Sequence, residues 1–230
     1  FRTSYLNLVK TIRRLSPGIP FIGLTATASL NVLKDIKLEL GVTDEGVVTL
    51  MDYSREELEF EIRDKKNYGE KELLALVKEL DDSTGILKPN GDSTNCIIIF
   101  TQTINGIKGC QNIAAELSNH LGLDIPYFCG TEPKNAKYVD ISFDDYKCQV
   151  QERFKNNEIT ALVATKAFGM GINKPNVAAT IHFGMPSSME SFYQEGGRAG
   201  RDKTRYLSSK AKCCLLFSPP SDGRRLDEIW

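Results

Sequence analysis

An α/β fold with a mostly parallel sheet is the class this sequence predicts, on three observations. Predominantly apolar runs of strand length recur at Pro20 to Leu24, Cys96 to Phe100, Ile159 to Ala164, Val177 to Phe183 and Cys213 to Phe217. Segments with apolar residues at helical spacing separate them. The runs lack strict polar and apolar alternation, so each strand needs cover on both faces, as in a parallel sheet flanked by helices.

Pro20 to Leu24 reads as a buried strand leading into a loop, Thr25-Ala26-Thr27-Ala28-Ser29. Ser29 is placed to cap a helix over 30–40, with Leu33, Ile36 and Leu40 near one face and Gly41 as its stop. Residues 42–66 read as a connector holding a short strand. Leu73, Leu76, Val77 and Leu80 form the stripe of a helix over 70–80. Gly85, Pro89, Asn90 and Gly91 punctuate a surface loop over 81–95. After the Cys96 strand comes a helix carrying Ile107, Cys110, Ile113, Ala114, Leu117 and Leu121 on one side. Tyr127 and Phe128 predict a short strand, 130–145 a polar, irregular insertion, and Tyr146, Val150 and Phe154 a further helix.

The chain has 230 residues, 41% hydrophobic and 26% charged, ordinary globular values with room for one large domain or one domain plus part of another. No apolar run approaches the ~18 residues that cross a bilayer, so no membrane partner is expected. Twenty-nine Lys and Arg against thirty Asp and Glu give a net charge of −1, which excludes a protein basic over its whole surface. That neutrality is an average: residues 194–225 hold eight bases and three acids, and residues 52–92 twelve acids and seven bases. Such asymmetry permits a local phosphate-facing surface and equally describes solvated faces. The six cysteines form no C-x-x-C pair, and Cys96, Cys213 and Cys214 lie in apolar surroundings, which predicts reduced core thiols and a reducing compartment. No metal site is expected. A start at Phe1 and the lack of a signal-peptide pattern suggest an excised segment.

In folds of this class ligands bind beyond the carboxyl ends of strands. There the run from Ala164 to Pro175 places Gly169 and Gly171 two apart, where backbone amides can approach an anion, and Thr165 adds a hydroxyl. A tight turn around a core Phe168 explains the same residues. Between Pro186 and Asp202, Ser187 and Glu190 form an S-x-x-E capping box for a helix that turns Met189, Phe192 and Tyr193 toward the core. Gln194, Arg198 and Arg201 would then share one stripe if the helix continues. Gly196, Gly197 and Gly200 imply close approach of another backbone or of a ligand. A glycine-rich helix end with solvated arginines is the alternative. Paired arginines suit phosphoryl transfer, in which a planar, permanently charged fork offsets charge developing on the transferred group. The chain carries no G-x-x-x-x-G-K-[ST] loop and no acidic cluster after a strand, so it supplies half of a nucleotide site.

With these residues in view the sequence resembles the RecQ family of superfamily 2 DNA helicases. GLTATAS (Gly23 to Ser29) is similar to that family's motif III, CIIIFTQT (Cys96 to Thr103) to motif IV, ATKAFGMGINKPNV (Ala164 to Val177) to motif V, and SFYQEGGRAGRD (Ser191 to Asp202) to motif VI. Phe1, Arg2 and Tyr5 resemble the tail of its aromatic-rich loop. A DEAD-box RNA helicase normally has a histidine where Gln194 stands.

The resemblance implies a RecA-like three-layer sandwich: residues 1–48 the end of a first lobe, 49–217 the second lobe, and 218–230 a tail or the start of another region. ATP would lie between the lobes, with Mg2+ ligands outside this chain. Arg198 and Arg201 would face the γ-phosphate, Arg201 as the finger, with Gly169, Gly171 and Asn173 also beside the nucleotide. Gln194 would couple nucleotide state to lobe position, and Thr25 and Thr27 would link hydrolysis to DNA movement. Gln102, Thr103 and Thr165 would lie along a single-strand backbone, with partly duplex DNA and the first lobe as partners. Departures include Asn173 where the family usually has Asp, Gly196 ahead of Gly197 where a bulkier residue often precedes the GRAGR run, Tyr127-Phe128-Cys129-Gly130 in place of Y-H-A-G, and an insertion over 131–145. The function implied is 3′-to-5′ DNA unwinding in repair and recombination, nucleoid-associated in a bacterium or nuclear in a eukaryote, with this chain inactive alone. A non-catalytic nucleic-acid-binding module and a related RNA helicase or translocase are the competing readings.

Overall fold

The computed structural model describes residues 4–25, 30–49, 54–64, 69–134, 136, 138, 140–168, 172–206 and 208–218. The chain divides into two compact units, 1–54 and 55–230.

In the first unit two helices pack together, α1 (Ser4–Leu15) and α2 (Leu30–Leu40), with Val9 buried. Helix α2 ends where Gly41 turns left-handed at φ 64°. Arg13 Nη2 donates to the Leu40 carbonyl at 2.7 Å, satisfying a group that the helix end leaves unpaired and opposing its dipole. The same guanidinium lies 5.5 Å from the Phe21 ring. Residues 20–24 are not a strand, contrary to expectation: Ile22 is 87% exposed and Leu24 94%. A buried parallel strand needs neighbours, and no strand occurs among the described residues of this unit. Ser29, the expected cap of α2, lies outside the described residues.

The second unit is built on β1 (Leu58–Asp64), α3 (Glu70–Thr84), β2 (Cys96–Thr101), α4 (Cys110–Leu121), β3 (Tyr127–Phe128), α5 (Phe143–Lys155), β4 (Ala161–Ala164), β5 (Val177–Phe183), α6 (Met189–Gly196) and β6 (Ala211–Phe217). The strands form one sheet in the order β1-β6-β5-β2-β4-β3, every pair parallel. Strands β2, β4 and β5 are buried at every residue, which is why their sequences read as continuous apolar runs.

Strand β1, at the sheet edge, shows how the layers form. Its alternate side chains must point to opposite faces. Arg63 pairs with Glu79 of α3 at 2.6 Å, whereas the Phe60 ring packs at a tilt against Phe192 of α6, centroids 5.7 Å apart. Helices α3 and α6 therefore cover opposite faces, α4 packs beside α3, and the unit has three layers.

Two local expectations shift. Helix α3 runs on to Thr84, and Ile86 and Leu87 in the loop behind it are buried rather than on the surface. Helix α4 begins only at Cys110, because the turn over 102–109 must close first: Cys110 N donates to the Thr103 carbonyl at 3.0 Å. Ile107 is left outside the helix and 53% exposed. The insertion is irregular as expected, yet anchored. The Tyr138 and Tyr127 hydroxyls lie 2.6 Å apart, and the Tyr138 ring packs on Phe143 and Tyr146. Ser142 and Asp145 then cap α5 reciprocally.

Candidate active site

The residues singled out in the sequence fall at two opposite ends of this sheet. Gln102 and Thr103 come directly after the last residue of β2, and Thr165 directly after the last residue of β4, so all three stand at carboxyl ends of adjacent strands. Thr103 is exposed and Gln102 half-buried. Thr165 is only 8% exposed, with its amide donating to the Phe128 carbonyl at 3.0 Å, so the hydroxyl reaches a ligand only from within a closely packed turn.

The arginines lie at the other end, which corrects the expectation that every informative residue sits at the carboxyl ends. Helix α6 leaves the carboxyl end of β5 and must bring the chain back to the amino end of β6. The turn that follows it therefore lands beside the first residues of three strands. Gly200 N donates to the Val177 carbonyl at 3.1 Å, and a Cβ on Gly200 would come within 2.9 Å of Leu58 and 3.4 Å of Ala211. Seven residues of β5 separate the two ends, about 20 Å at the usual rise.

The start of α6 differs by one residue from the sequence reading. Ser188, not Ser187, is the cap, its hydroxyl accepting from the Ser191 amide at 3.1 Å. Met189 is consequently 57% exposed and not in the core, while Phe192 packs on Phe60 and His182. Nor does the helix carry Arg198 and Arg201 on one stripe with Gln194. It ends at Gly196, with Gly197 as its cap, and the chain leaves through tight turns, Arg198 N to Glu195 O at 3.2 Å and Ala199 N to Gly196 O at 3.0 Å. Gly200 then adopts φ 64°, which reverses the chain before Arg201. The glycines answer close approach of the protein itself. A Cβ on Gly196 would sit 2.6 Å from Cys213 Sγ, and one on Gly197 2.9 Å from the Tyr193 carbonyl.

Arg201 reaches from this turn to the segment that crosses from β4 to β5. Nη1 donates to the Ile172 carbonyl at 3.0 Å and to Asn173 Oδ1 at 3.1 Å. Both acceptors are neutral, so the contact holds the guanidinium without cancelling its charge. Nε and Nη2 have no hydrogen-bond partner among the described residues. Burial, then the charge of Arg55, pushes the Arg201 pKa down; burial, then Arg201 itself, does so for the half-buried Arg198, with Glu195 opposing. Guanidiniums stay charged through such shifts. Gln194 is exposed on α6 and Thr25 is exposed in the first unit. Thr27, Gly169 and Gly171 lie outside the described residues.

Sequence reasoning missed the supports of this turn. Arg55 Nη2 donates to the Gly200 carbonyl at 3.1 Å, and Arg55 Nε pairs with the buried Glu57 at 3.2 Å. Glu57 also pairs with Lys203 at 3.4 Å; hydrogen bonding to its own amide and then to Arg55 holds its carboxyl below the usual range against burial. Beneath α6, His182 Nε2 lies 3.1 Å from Glu195 Oε2, close but not aligned as a hydrogen bond. No spacing rule flags these pairs, whose partners come from distant parts of the chain.

Paired arginines, one of them held only by neutral oxygens, fit the terminal phosphate of a nucleotide. No group of three or more His, Cys, Asp or Glu side chains that could hold a metal ion occurs among the described residues. A six-stranded parallel sheet in this order, covered by helices on both faces, defines a RecA-like lobe. The chain belongs to the helicase conserved C-terminal domain family, which matches residues 74–203. It is 33% identical over 219 residues to the ATP-dependent DNA helicase RecQ of Bacillus subtilis, covering 95% of this chain and 32% of that protein. It is also 33% identical over 219 residues to the putative ATP-dependent RNA helicase R290 of Acanthamoeba polyphaga mimivirus, covering 95% and 34%. The chain thus spans about a third of these relatives. The fold matches S. cerevisiae Dbp5, solved with RNA and ADP BeF3, with a TM-score of 0.63 at 16% identity, over 98% of this chain and 54% of that one.

Proposed function

We propose that this chain is the arginine-bearing part of a RecQ-type, ATP-dependent DNA helicase that moves 3′ to 5′ and serves DNA repair and recombination. Residues 1–48 belong to the end of a first RecA-like lobe, 49–217 form the second, and 218–230 begin the next region. The observation that carries this reading is Arg201, a guanidinium fixed by Ile172 and Asn173 through neutral oxygens with its charge left for an anion.

Bound ATP supplies the γ-phosphoryl group whose hydrolysis drives movement. Arg201 faces that group and offsets the charge that develops there, and Arg198, on the other side of Gly200, adds a second cation. Asn173 orients Arg201, and Gly169 and Gly171 shape the loop beside the nucleotide. Gln194, exposed on the same helix, reports nucleotide state to the partner lobe. Gln102, Thr103 and Thr165 hold the phosphates of single-stranded DNA about 20 Å away, a sequence-independent grip that suits a translocase. Thr25 and Thr27 act on the first-lobe side.

In the intact protein, Arg201→Ala is expected to keep ATP and DNA binding and lose about 10³-fold or more of DNA-stimulated hydrolysis. Near-normal hydrolysis would remove Arg201 from this role. Residues 1–230 alone should show no ATPase activity. Unwinding assays on tailed DNA duplexes of both polarities, and on RNA counterparts, test the rest: displacement only from 5′-tailed DNA, or only of RNA, sinks the corresponding part.

A further inference from the structure

The turn over 198–201 carries both arginines, and its backbone is held from outside α6. Gly200 donates to the Val177 carbonyl at 3.1 Å. The carbonyls of residues 199 and 200 both face Arg55, whose Nη2 lies 3.5 Å from the first and 3.1 Å from the second. A Cβ on Gly197 would stand 3.6 Å from Arg55 Nη1, so this side chain lies along the whole turn. Arg55 is itself aimed: its Nε pairs with Glu57, a carboxylate 7% exposed and fixed from the other side by Lys203. The Glu57 carbonyl accepts from Ala211 at 2.8 Å, which ties this arrangement to the first residue of β6.

We propose that Arg55 is a positioning residue for the arginine finger, acting through the carbonyls of Ala199 and Gly200 to fix the direction in which Arg201 leaves the turn. This rests on the finger reading of Arg201 above. An arginine suits the task because one planar group uses Nε on Glu57 while Nη2 spans two successive carbonyls; a lysine has a single point donor. Arg55 is the first residue of its unit, so it lies far in sequence from the turn it holds, 144 and 145 residues from the two carbonyls. Without it, the 199–200 peptides lose their external clamp. Misplacement of a catalytic group by about 1 Å can cost roughly 10²-fold in rate.

The test is steady-state ATP hydrolysis by the intact, DNA-bound protein. Arg55→Ala should lower kcat by about 10²-fold while KM for ATP and DNA affinity stay within about twofold. Arg55→Lys, which keeps the charge and the pairing with Glu57, should fall between. In an Arg201→Ala background, Arg55→Ala should lower the residual rate no further, because the group it positions is gone. A merely structural role would instead add its loss in both backgrounds and lower the unfolding temperature in proportion. If Arg55→Ala does not fold, Arg55→Lys and Glu57→Gln carry the same comparison. Normal kcat in the Arg55 variants alongside an inactive Arg201→Ala overturns this inference alone; normal hydrolysis by Arg201→Ala overturns the finger reading and this inference with it.

Discussion

Arg201 donates from Nη1 to the side-chain oxygen of Asn173 at 3.1 Å, which ties the turn after α6 to the segment crossing from β4 to β5. Asn173→Ala removes that acceptor and leaves the Ile172 carbonyl. An exposed hydrogen bond to a charged group contributes about 1 kcal/mol, so ATP turnover of the intact protein should fall about fivefold. Asn173→Gln keeps a neutral amide acceptor on the same segment and should lose less than Asn173→Ala. Equal losses in the two variants would show that the side-chain oxygen is not what holds Arg201.

How much of the fold and site was legible in the sequence depends on where each signal originates. Strands β2, β4 and β5 were readable because burial on both faces demands continuous apolar runs, and α3 because Leu73, Leu76, Val77 and Leu80 repeat at helical spacing. Residues 20–24 have the same apolar character without a sheet around them, and no local pattern distinguishes the two situations. The arginines were legible as residues but not as a location: placing them at the amino ends requires knowing that α6 runs back against the strands. Arg55 and Glu57 were invisible because they look like part of a polar connector, and their meaning comes from contacts with residues 199, 200 and 203.

Gly196→Ala tests the packing of α6 on β6. A Cβ there would sit 2.6 Å from Cys213 Sγ in a buried layer where the helix cannot easily retreat. Overpacking of this kind costs about 1–3 kcal/mol, and a urea or thermal unfolding curve of the protein should shift accordingly. Removing the obstructing sulfur with Cys213→Ala should make the double variant more stable than the sum of the two single losses predicts. Additive losses would mean that Gly196 is needed for a reason other than this contact.

The thiols differ sharply in access. Cys96, Cys110, Cys129, Cys213 and Cys214 are buried and Cys148 is exposed on α5. Only a thiolate attacks a thiol reagent, and burial shields the sulfur and disfavours its ionised form; Cys129, whose thiol the neighbouring Cys110 pulls down against burial, is protected by lack of access alone. In native protein at neutral pH one thiol of the six present should react quickly, and that reaction should vanish in Cys148→Ser. All six should react in denaturant. Two or more fast thiols in the native state would contradict the packing of β2, α4 and β6.

Burial of β6 also sets a limit on stability at high pH. Burial pushes the Cys213 thiol up to about 11 and the Cys214 thiol up to about 12, from an ordinary value near 9.0. For Cys213 the Thr180 hydroxyl opposes the rise; for Cys214 the neighbouring Glu61 carboxylate reinforces it. Above pH 9 the unfolded chain releases these protons while the folded one retains them, so the unfolded state binds fewer protons and stability falls as pH rises. The loss is absent below about pH 9 and approaches about 1.4 kcal/mol per pH unit for each thiol between there and its folded value. Urea unfolding free energies between about pH 8 and 11 should therefore decline less steeply in Cys213→Ala than in the parent protein, since every other titrating group is common to both. Parallel declines would show that Cys213 ionises in the folded protein as easily as in the unfolded chain.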